Sequence, residues 1–373
     1  MNVLIFLTYG ISLKNWHESG LLSRELELYN EMSKKYNIEF TLVSYGDIQD
    51  REFLTEFDGI NVIPVYEYLK KRNLKYIDIL KSTYIPFLIK FKIKLKFDLI
   101  KTNQLWGAWI AIALKLISFK PLFIRTGYDI YKFSVNERKP IYKRYFYYLL
   151  TQVGLIFCNL YSVTSKNDFD FIKKHYLFRK SKLALRPNWV KVDEQFSEKA
   201  RKNNILMVGR LEKQKNIDFV IEKVRNSDLF IDIYGEGSLS EQLKKEAFDV
   251  KNISFMGRVD NSELLETYKQ YKIYLSVSDY EGNSKTILEA MGAGCVVIAN
   301  NIPNNIEIID NNINGILFEK EKDNLIEIIK NLLSKPEQCH NISLNAFRKI
   351  ERNNSLKNFL DKEYNDYSNL INY

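Results

Sequence analysis

A short segment near residue 280 carries two glutamates around the start of a predicted helix. In Asp279–Gly294 (DYEGNSKTILEAMGAG) an apolar run ends, a loop follows, and the pattern predicts a helix that begins near Ser284. The first backbone N–H groups of a helix lack intrahelical partners and, with the helix dipole, suit a phosphate. Glu281 and Glu289 would repel phosphate, so we interpret them as acceptors of hydrogen bonds from sugar and ribose hydroxyls. The alternative is that Ser284 is an ordinary N-cap and both glutamates are solvated.

A second segment, Gly209–Lys215 (GRLEKQK), places cations directly after a predicted strand. Arg210 offers a two-pronged guanidinium and Lys215 a point charge, a combination that suits a diphosphate. Lys213 competes for the same role by charge alone. The alternative is that these are surface cations at a turn between a strand and a helix.

A third segment, Tyr234–Gly237 (YGEG), is another glycine-containing turn at the end of a predicted strand. It is a single Gly-x-Gly that does not extend to G-x-G-x-x-G, and a plain turn explains it as well as a ligand site does. The missing fingerprint disfavours a nicotinamide-dependent oxidoreductase. No Walker lysine follows a glycine-rich loop, which excludes a P-loop nucleotidase.

Five segments of the second half resemble, in order and spacing, the motifs of family 4 glycosyltransferases. They are GRLEKQK (Gly209–Lys215), YGEGSL (Tyr234–Leu239), ISFMGRV (Ile253–Val259), YEGNSKTILEAMGAG (Tyr280–Gly294) and NNINGILF (Asn311–Phe318). The resemblance covers residues 203–335; in the first half it is looser and rests on Ser19-Gly20, Val163–Ile172 and Arg186–Val190. It implies a GT-B fold and a hexosyltransferase-type enzyme (EC 2.4). Such an enzyme moves a sugar, with retention, from a nucleotide diphosphate sugar to a glycan or polyprenyl-linked acceptor in surface polysaccharide (capsule or lipopolysaccharide) synthesis.

The resemblance also implies roles for individual residues. Arg210 and Lys215 match positions that stabilise the departing diphosphate, and Glu281 matches the glutamate that contacts the donor sugar; these three are the predicted catalytic residues. Glu289 matches the ribose-binding glutamate. The remaining predicted donor contacts are Gly20, Gly209, Gly235, Gly282, Asn283 and Ser284. No metal or other cofactor is expected, because two cations already face the diphosphate and no Asp-x-Asp motif is placed to hold a metal.

One departure from the family pattern concerns a histidine that many members carry in the first domain. The corresponding stretch reads RTGYDIY (Arg125–Tyr131), with Gly127 near the expected place. Asp129 is a candidate for the missing sugar contact, although it is equally typical of a turn. His17, just before Gly20, is a second candidate, and Glu18 is similarly ambiguous.

The elements that must position these residues alternate between short apolar runs and amphipathic segments, which predicts parallel α/β layers. Six strands are predicted in each half: Val3–Leu7, Phe40–Ser44, Ile60–Ile63, Asp98–Thr102, Leu122–Thr126 and Tyr161–Thr164, then Ile205–Val208, Phe230–Tyr234, Ile253–Phe255, Ile273–Ser276, Cys295–Ala299 and Gly315–Phe318. The polar stretch Lys191–Asn204 reads as a connection. We therefore expect two Rossmann-like domains facing each other across a cleft, an acceptor-side domain at 1–190 and a nucleotide-sugar-binding domain at 203–350. A final helix at 351–373 would pack back on the first domain.

Composition limits the partners. The 373 residues carry a net charge of +9, and residues 1–200 hold 32 basic against 20 acidic side chains, so the excess lies in the first half. Three separated cysteines and three histidines predict a reduced, cytoplasmic protein with little material for a metal centre. No apolar stretch reaches the ~18 residues of a transmembrane helix; the nearest, Tyr145–Val163, reads as a buried helix followed by a strand.

The basic first half predicts peripheral contact with an anionic membrane. Tyr84, Phe87, Leu88, Phe91 and Leu95 share one face at helical spacing, which predicts a helix over Ile89–Phe97 with a basic outer face. The cluster Arg138–Arg144 with the aromatic run Tyr145–Tyr148 points the same way. A solvated surface is the plain alternative, and no nucleic-acid-binding module is legible.

Three other functions remain open. A nucleotide-sugar epimerase or a phosphorylase would share the GT-B fold. A catalytically inactive nucleotide-sugar-binding protein would share the site, and the missing histidine makes it conceivable. The donor sugar, base, acceptor, linkage and oligomeric state are not legible in the sequence.

Overall fold

The computed structural model describes residues 1–70, 74–179, 182–196 and 200–372. Residues 71–73 of the basic first half and 197–199 of the predicted connection therefore lie outside the described residues. The chain forms two compact units, one of Met1–Pro187 with Leu360–Tyr373 and one of Asn188–Phe359.

The first unit is built on a seven-stranded parallel sheet. Its strands are β1 (Asn2–Phe6), β2 (Glu39–Ser44), β3 (Ile60–Pro64), β4 (Leu99–Thr102), β5 (Leu122–Arg125), β6 (Leu160–Val163) and β7 (Leu183–Leu185). Their spatial order is β3-β2-β1-β4-β5-β6-β7. Successive strands are added on one side of β1 up to β3 and on its other side from β4 onward, so the strand order reverses between β1 and β4. Every pairing is parallel, and the strands are apolar runs because helices cover both faces of such a sheet.

The second unit repeats this plan with six strands. They are β8 (Lys202–Val208), β9 (Ile231–Tyr234), β10 (Ile253–Gly257), β11 (Tyr271–Ser276), β12 (Val296–Asn300) and β13 (Ile316–Phe318), in the order β10-β9-β8-β11-β12-β13. The reversal lies between β8 and β11. Open α/β sheets bind ligands at such a reversal, outside the carboxyl ends of the strands.

Helices connect the strands. In the first unit they are Leu13–Glu18, Leu22–Tyr36, Val65–Tyr68, Lys75–Ser82, Ile85–Phe87 (continued by a π-helical turn, Leu88–Ile93), Ala108–Ser118, Ile130–Asn136, Ile141–Phe157 and Lys166–His175, with a 3₁₀ segment at Ile48–Leu54. In the second they are Ile217–Val224, Ser240–Glu246, Asn261–Tyr268, Lys285–Gly292, Pro303–Ile306, Leu325–Leu333 and Pro336–Asn354, with a 3₁₀ turn at Lys213–Lys215.

The last helix, Leu356–Ile371, begins in the second unit and adds its residues from Leu360 onward to the first. Lys101 on β4 is fully buried and forms an ion pair with the equally buried Glu363 of this helix. The Lys101 ammonium also donates to the Tyr367 hydroxyl at 2.8 Å. Arg186 adds a two-pronged contact to Asp366, with both N–O distances at 2.6 Å. These contacts join residues far apart in the chain and hold the helix on the sheet.

All twelve predicted strands are present, and their ends differ by a few residues at most. The short strand β7 was not predicted, because its three residues follow a polar turn and show no clear alternation of apolar and polar side chains.

Two predictions about exposure were wrong. Between residues 84 and 97 the buried side chains are Ile85, Pro86, Leu88, Ile89 and Phe97, whereas Tyr84, Phe87 and Phe91 are exposed. The helical part ends at Ile93. Apolar residues occur on every side of this segment, so the spacing of its apolar residues does not say which side faces the core. The helical part of Tyr145–Val163 was expected to be buried. The helix Ile141–Phe157 buries only one side, with Leu150, Thr151, Gly154 and Leu155, and exposes a row of large apolar side chains on the other.

Candidate functional site

The predicted donor site lies at the reversal of the second sheet. One of its loops follows β8 and contains Gly209–Lys215, and the other follows β11 and contains Asp279–Ser284. Because neighbouring parallel strands end at the same edge, both loops emerge side by side there. The sheet topology thus brings together two segments that are about 70 residues apart in the chain.

Glycines allow the loops after β8 and β9 to touch. Gly235 has φ +137°, and a Cβ placed on it would lie 1.9 Å from the carbonyl oxygen of Gly209. Gly209 itself has φ +155°, and a Cβ placed on it would lie 3.2 Å from the Cε of Lys215. The Gly209 N–H donates to the Tyr234 carbonyl at 3.0 Å, and the Gly235 N–H donates to the Gly257 carbonyl at 2.7 Å. The turn Tyr234–Gly237 therefore supports the loop that carries Arg210 and Lys215.

Gln214 joins this loop to the one after β11. The Asp279 N–H donates to the Gln214 carbonyl at 3.0 Å, and the Gln214 side chain donates to the Tyr280 carbonyl at 2.6 Å. Asn216 adds a bond from its side chain to the Val277 carbonyl at 3.2 Å. Sequence reasoning missed Gln214 and Asn216; the only available signal was their position within and just after the GRLEKQK motif.

Two of the predicted catalytic residues meet directly. The Lys215 ammonium forms an ion pair with the Glu281 carboxylate, and both side chains are mostly buried. Arg210 is exposed at the start of the same loop, and Lys213 is exposed within it. Of the two competing lysines, Lys215 is therefore the one directed toward the second loop. The pair places one cation and one carboxylate within reach of a single ligand.

The helix Lys285–Gly292 begins at this place. Ser284 occupies the N-cap position, but among the described residues its side chain makes no capping bond and lies 3.2 Å from the Thr286 hydroxyl instead. The Asn283 side chain accepts the Asn188 N–H at 2.8 Å, so it braces the loop. Gly282, between Glu281 and Asn283, is half-buried. Ser284 is thus the N-cap by position but makes no side-chain capping bond, and a helix N-terminus of this kind offers backbone donors that suit anions.

Glu289 lies deeper than expected for a solvated glutamate. Its carboxylate is buried and accepts from the Tyr268 hydroxyl at 3.3 Å and from the Asn261 amide at 3.4 Å. Burial raises the pKa of Tyr268 well above its ordinary value, which keeps this hydroxyl a donor. Asn261 and Tyr268 were not singled out from the sequence, since neither belongs to a motif.

The candidates of the first unit differ in what they offer. Gly20 has φ +65° and precedes the helix Leu22–Tyr36; its N–H donates to the His17 carbonyl at 2.9 Å. His17 and Glu18 are exposed at the end of the helix Leu13–Glu18, and the His17 ring packs on Phe53 with centroids 5.0 Å apart. These residues lie in the first unit, and the donor residues described above lie in the second.

Asp129 has a structural role that the sequence analysis did not expect. It is buried and caps the helix Ile130–Asn136, accepting the Lys132 N–H at 2.7 Å. Its other oxygen accepts the Tyr176 hydroxyl at 3.1 Å. Burial raises the pKa of Asp129 to about 6. Asp129 therefore acts as a helix cap, and its role as a sugar contact stays a prediction.

Within the ranges that the structure describes, no group of three or more His, Cys, Asp and Glu side chains is arranged to hold a metal ion. In those same ranges no helix combines the length and the apolarity needed to cross a membrane.

Two units, each a parallel sheet with reversed strand order covered by helices, together with the superposition of solved glycosyltransferases over the chain, identify the fold as GT-B. The comparisons with known proteins agree. Residues 191–349 match the family model "Glycosyl transferases group 1". The chain is a glycosyltransferase (EC 2.4), and its resemblance to family 4 glycosyltransferases is confirmed.

Individual relatives are distant. An uncharacterized 41.2 kDa protein in the cps region of Klebsiella pneumoniae is 26% identical over 339 residues, which is 84% of this chain and 92% of the relative. The O-antigen biosynthesis glycosyltransferase WbnH of Escherichia coli is 25% identical over 249 residues, 65% of this chain and 70% of the relative. The crystal structure of Anabaena HepE with UDP-glucose superposes with a TM-score of 0.74 at 15% identity, covering 99% of this chain and all of that one.

Proposed function

We propose that this enzyme transfers a sugar, with retention at the anomeric carbon, from a UDP-sugar to a glycan or polyprenyl-linked acceptor in the synthesis of a surface polysaccharide. The observation that carries the proposal is the convergence of Lys215, Glu281 and the N-terminus of the helix Lys285–Gly292 at the reversal of the second sheet. This combination offers cationic and N–H donors for a diphosphate beside an acceptor for sugar hydroxyls.

The proposed roles follow from charge and position. Lys215, Arg210 and the backbone at Asn283 and Ser284 stabilise the negative charge that develops on the departing diphosphate. Glu281 accepts hydrogen bonds from sugar hydroxyls and orients the sugar. In the proposed reaction the acceptor hydroxyl attacks on the face that the diphosphate leaves, which gives retention.

Glu289 is the proposed ribose ligand. We propose that its buried carboxylate accepts hydrogen bonds from ribose hydroxyls, while Tyr268 and Asn261 hold its orientation. We propose that the two cations take the place of a metal ion at the diphosphate, so transfer is expected to persist in the presence of a chelator.

The substrate class rests on the relatives. The structural neighbour HepE is described with UDP-glucose, which favours a uridine nucleotide. WbnH acts in O-antigen biosynthesis and the Klebsiella relative belongs to a cps region, which favours surface polysaccharide synthesis. Polyprenyl-linked acceptors reside in a membrane, so we also propose that the enzyme works at the cytoplasmic membrane face.

A panel of nucleotide diphosphates and nucleotide sugars, tested by thermal shift on the full chain, examines the donor site. A ligand at 100 times its Kd stabilises a protein by about 2.7 kcal/mol, which is readily visible in the unfolding midpoint. We expect a selective shift with UDP and one UDP-sugar. If no nucleotide shifts the midpoint, the proposed donor site is wrong.

Product analysis then separates transfer from the alternatives. Incubation of the selected UDP-sugar alone and with a polyprenyl-diphosphate-linked sugar, each with and without chelator, is followed by chromatography and by NMR of the anomeric linkage. We expect product only with acceptor, unaffected by the chelator, and with the anomeric configuration of the donor. Conversion of the donor without acceptor would indicate an epimerase, and binding without conversion would indicate an inactive binding protein.

A further inference from the structure

Asn188 holds the loop that precedes the helix Lys285–Gly292. Its backbone N–H donates to the side-chain oxygen of Asn283 at 2.8 Å, and its side-chain amide donates to the carbonyl oxygen of Asn283 at 2.7 Å. The two residues are 95 positions apart in the chain, and both belong to the second unit. Asn188 thus contacts Asn283 twice, once at the side chain and once at the backbone.

The bond to the Asn283 carbonyl also affects the next residue. A peptide group is planar and almost always trans, so the carbonyl of one residue and the N–H of the next point in opposite directions within one plane. The direction of the Asn283 carbonyl therefore sets the direction of the Ser284 N–H, one of the backbone donors proposed for the diphosphate. A hydrogen bond accepted by the carbonyl also polarises the peptide group and strengthens its N–H as a donor. Asn188 can act on the donor site in both ways without touching a ligand.

Asn188 is itself fixed by the end of a long helix. The side-chain amide of Asn354, the last residue of the helix Pro336–Asn354, donates to the Asn188 carbonyl at 2.8 Å. The Val190 N–H donates to the Asn354 carbonyl at 2.9 Å, and the Leu356 N–H donates to the Val190 carbonyl at 3.1 Å. These three bonds hold the segment 188–190 in the second unit.

The two residues that follow Asn188 pack against the helix Lys285–Gly292. Val190 is buried in a hydrophobic cluster that includes Met291 of that helix. Trp189 is buried as well, and the Lys285 ammonium lies 5.3 Å from the centre of its ring. The segment 188–190 therefore contacts the helix at its first residue and on its buried side, which gives the bonds to the loop a rigid base.

We propose that Asn188 is a positioning residue of the donor site: through the Asn283 carbonyl it orients the Ser284 N–H toward the diphosphate. The inference rests on the proposed function, and it adds a residue that acts on the ligand only through another one. Asn188 lies in the segment Arg186–Val190 (RPNWV), to which the sequence alone gives no role in binding. Its loss should weaken the binding of phosphate-bearing ligands and leave the contacts to base and ribose in place.

Binding of UDP and of uridine by the full chain separates positioning from general destabilisation. Uridine carries the base and the ribose but no phosphate, so its affinity does not depend on the Ser284 N–H. The Kd of UDP is measured by calorimetry and that of uridine by NMR titration. In Asn188→Ala we expect the ratio of UDP affinity to uridine affinity to fall about 10-fold, the loss that follows from weakening one hydrogen bond to a charged group. Asn188→Leu, which keeps the size of the side chain but has no donor, should show the same fall.

Asn252→Ala is the matched control. The Asn252 side-chain amide also donates to backbone carbonyls of the second unit, to Ser227 at 3.1 Å and to Leu229 at 2.7 Å. Asn252 lies just before β10, at the amino edge of the sheet, whereas the donor loops lie at the carboxyl edge. Its removal should lower the thermal midpoint, because these carbonyls lose a donor, and should leave the ratio of UDP to uridine affinity at the wild-type value.

The outcomes are distinct. An unchanged ratio in Asn188→Ala or in Asn188→Leu, or equal losses of UDP and uridine affinity, would overturn the positioning role. A fall of the same size in Asn252→Ala would overturn it too, because the loss of any carbonyl bond would then have this effect. If the wild type binds no UDP, the proposed donor site is wrong and this inference fails with it. If the wild type binds UDP and the ratio is unchanged in the Asn188 variants, only the positioning role fails.

Discussion

The contact between Gly235 and Gly209 gives a sharp test of how the donor loop is held. In Gly235→Ala the new Cβ would lie 1.9 Å from the Gly209 carbonyl oxygen, so the two loops must separate by about 1 Å. Overpacking of this kind costs about 1–3 kcal/mol, in addition to the ~1–2 kcal/mol of a left-handed backbone conformation for a non-glycine residue. The displaced backbone is the one that carries Arg210 and Lys215.

Gly257 supplies a matched control for stability. It also has a positive φ, +74°, but a Cβ on it would meet nothing within 4 Å. Gly257→Ala therefore carries the backbone cost without the collision. The difference between the two variants should be about 1–3 kcal/mol, or a midpoint difference of about 2–4 °C for each kcal/mol in a unit of this size.

Activity should respond more strongly than stability. A misplacement of about 1 Å in a reacting geometry is sufficient to reduce rates by about 100-fold, so Gly235→Ala should lower kcat by that order even where the protein stays folded. Differential scanning fluorimetry and steady-state transfer assays give the two readouts. Equal midpoints for the Gly235 and Gly257 variants, together with an unchanged kcat in Gly235→Ala, would refute the argument that this close approach positions the donor loop.

Three further predictions use other parts of the chain. Lys215→Ala should lower kcat by about 100- to 1,000-fold through loss of charge stabilisation at the diphosphate, whereas Lys213→Ala should retain nearly full turnover; similar losses in both would contradict the assignment. Because burial raises the pKa of Asp129 from 3.8 to about 6, the folded state holds its proton more tightly than the unfolded state. Stability of the first unit should therefore fall as the pH rises from about 4 to 6, by about 3 kcal/mol, and thermal midpoints of Asp129→Asn should lack this slope. Lys101→Met leaves the buried Glu363 carboxylate without its cation and should lower the free energy of unfolding, measured in urea, by about 3–5 kcal/mol. The double variant Lys101→Met/Glu363→Leu should recover most of this loss. A double variant as unstable as the single one would contradict the pairing.

The proposed donor site was the most predictable part of the molecule. Arg210, Lys215 and Glu281 lie in short motifs, and a parallel sheet brings such strand-end loops together by its topology. The support for those loops was less predictable, because Gln214, Asn216 and Tyr268 act through backbone carbonyls or through a partner in another element.

Errors arose where the sequence pattern was locally ambiguous. Asp129 was a candidate for a sugar contact because it stands near the place of a family histidine, and a turn residue was left equally open; Tyr176, 47 residues later, completes its role as a buried cap. For Tyr84, Phe87 and Phe91 the helical spacing was noticed but their side was misassigned. In a segment with apolar residues on every side, only the packing partners decide which ones face the core.

The sequence by itself determined which segments form strands, the two-unit plan and the cationic and acidic groups of the proposed donor site, because these depend on local periodicity and short motifs. Only the tertiary structure decided that Lys101 is fully buried, since its partner Glu363 lies 262 residues away on the last helix. It also decided that the helix Ile141–Phe157 turns an apolar row outward. Both outcomes depend on which surfaces meet across long chain separations, and a local pattern carries no information about that choice.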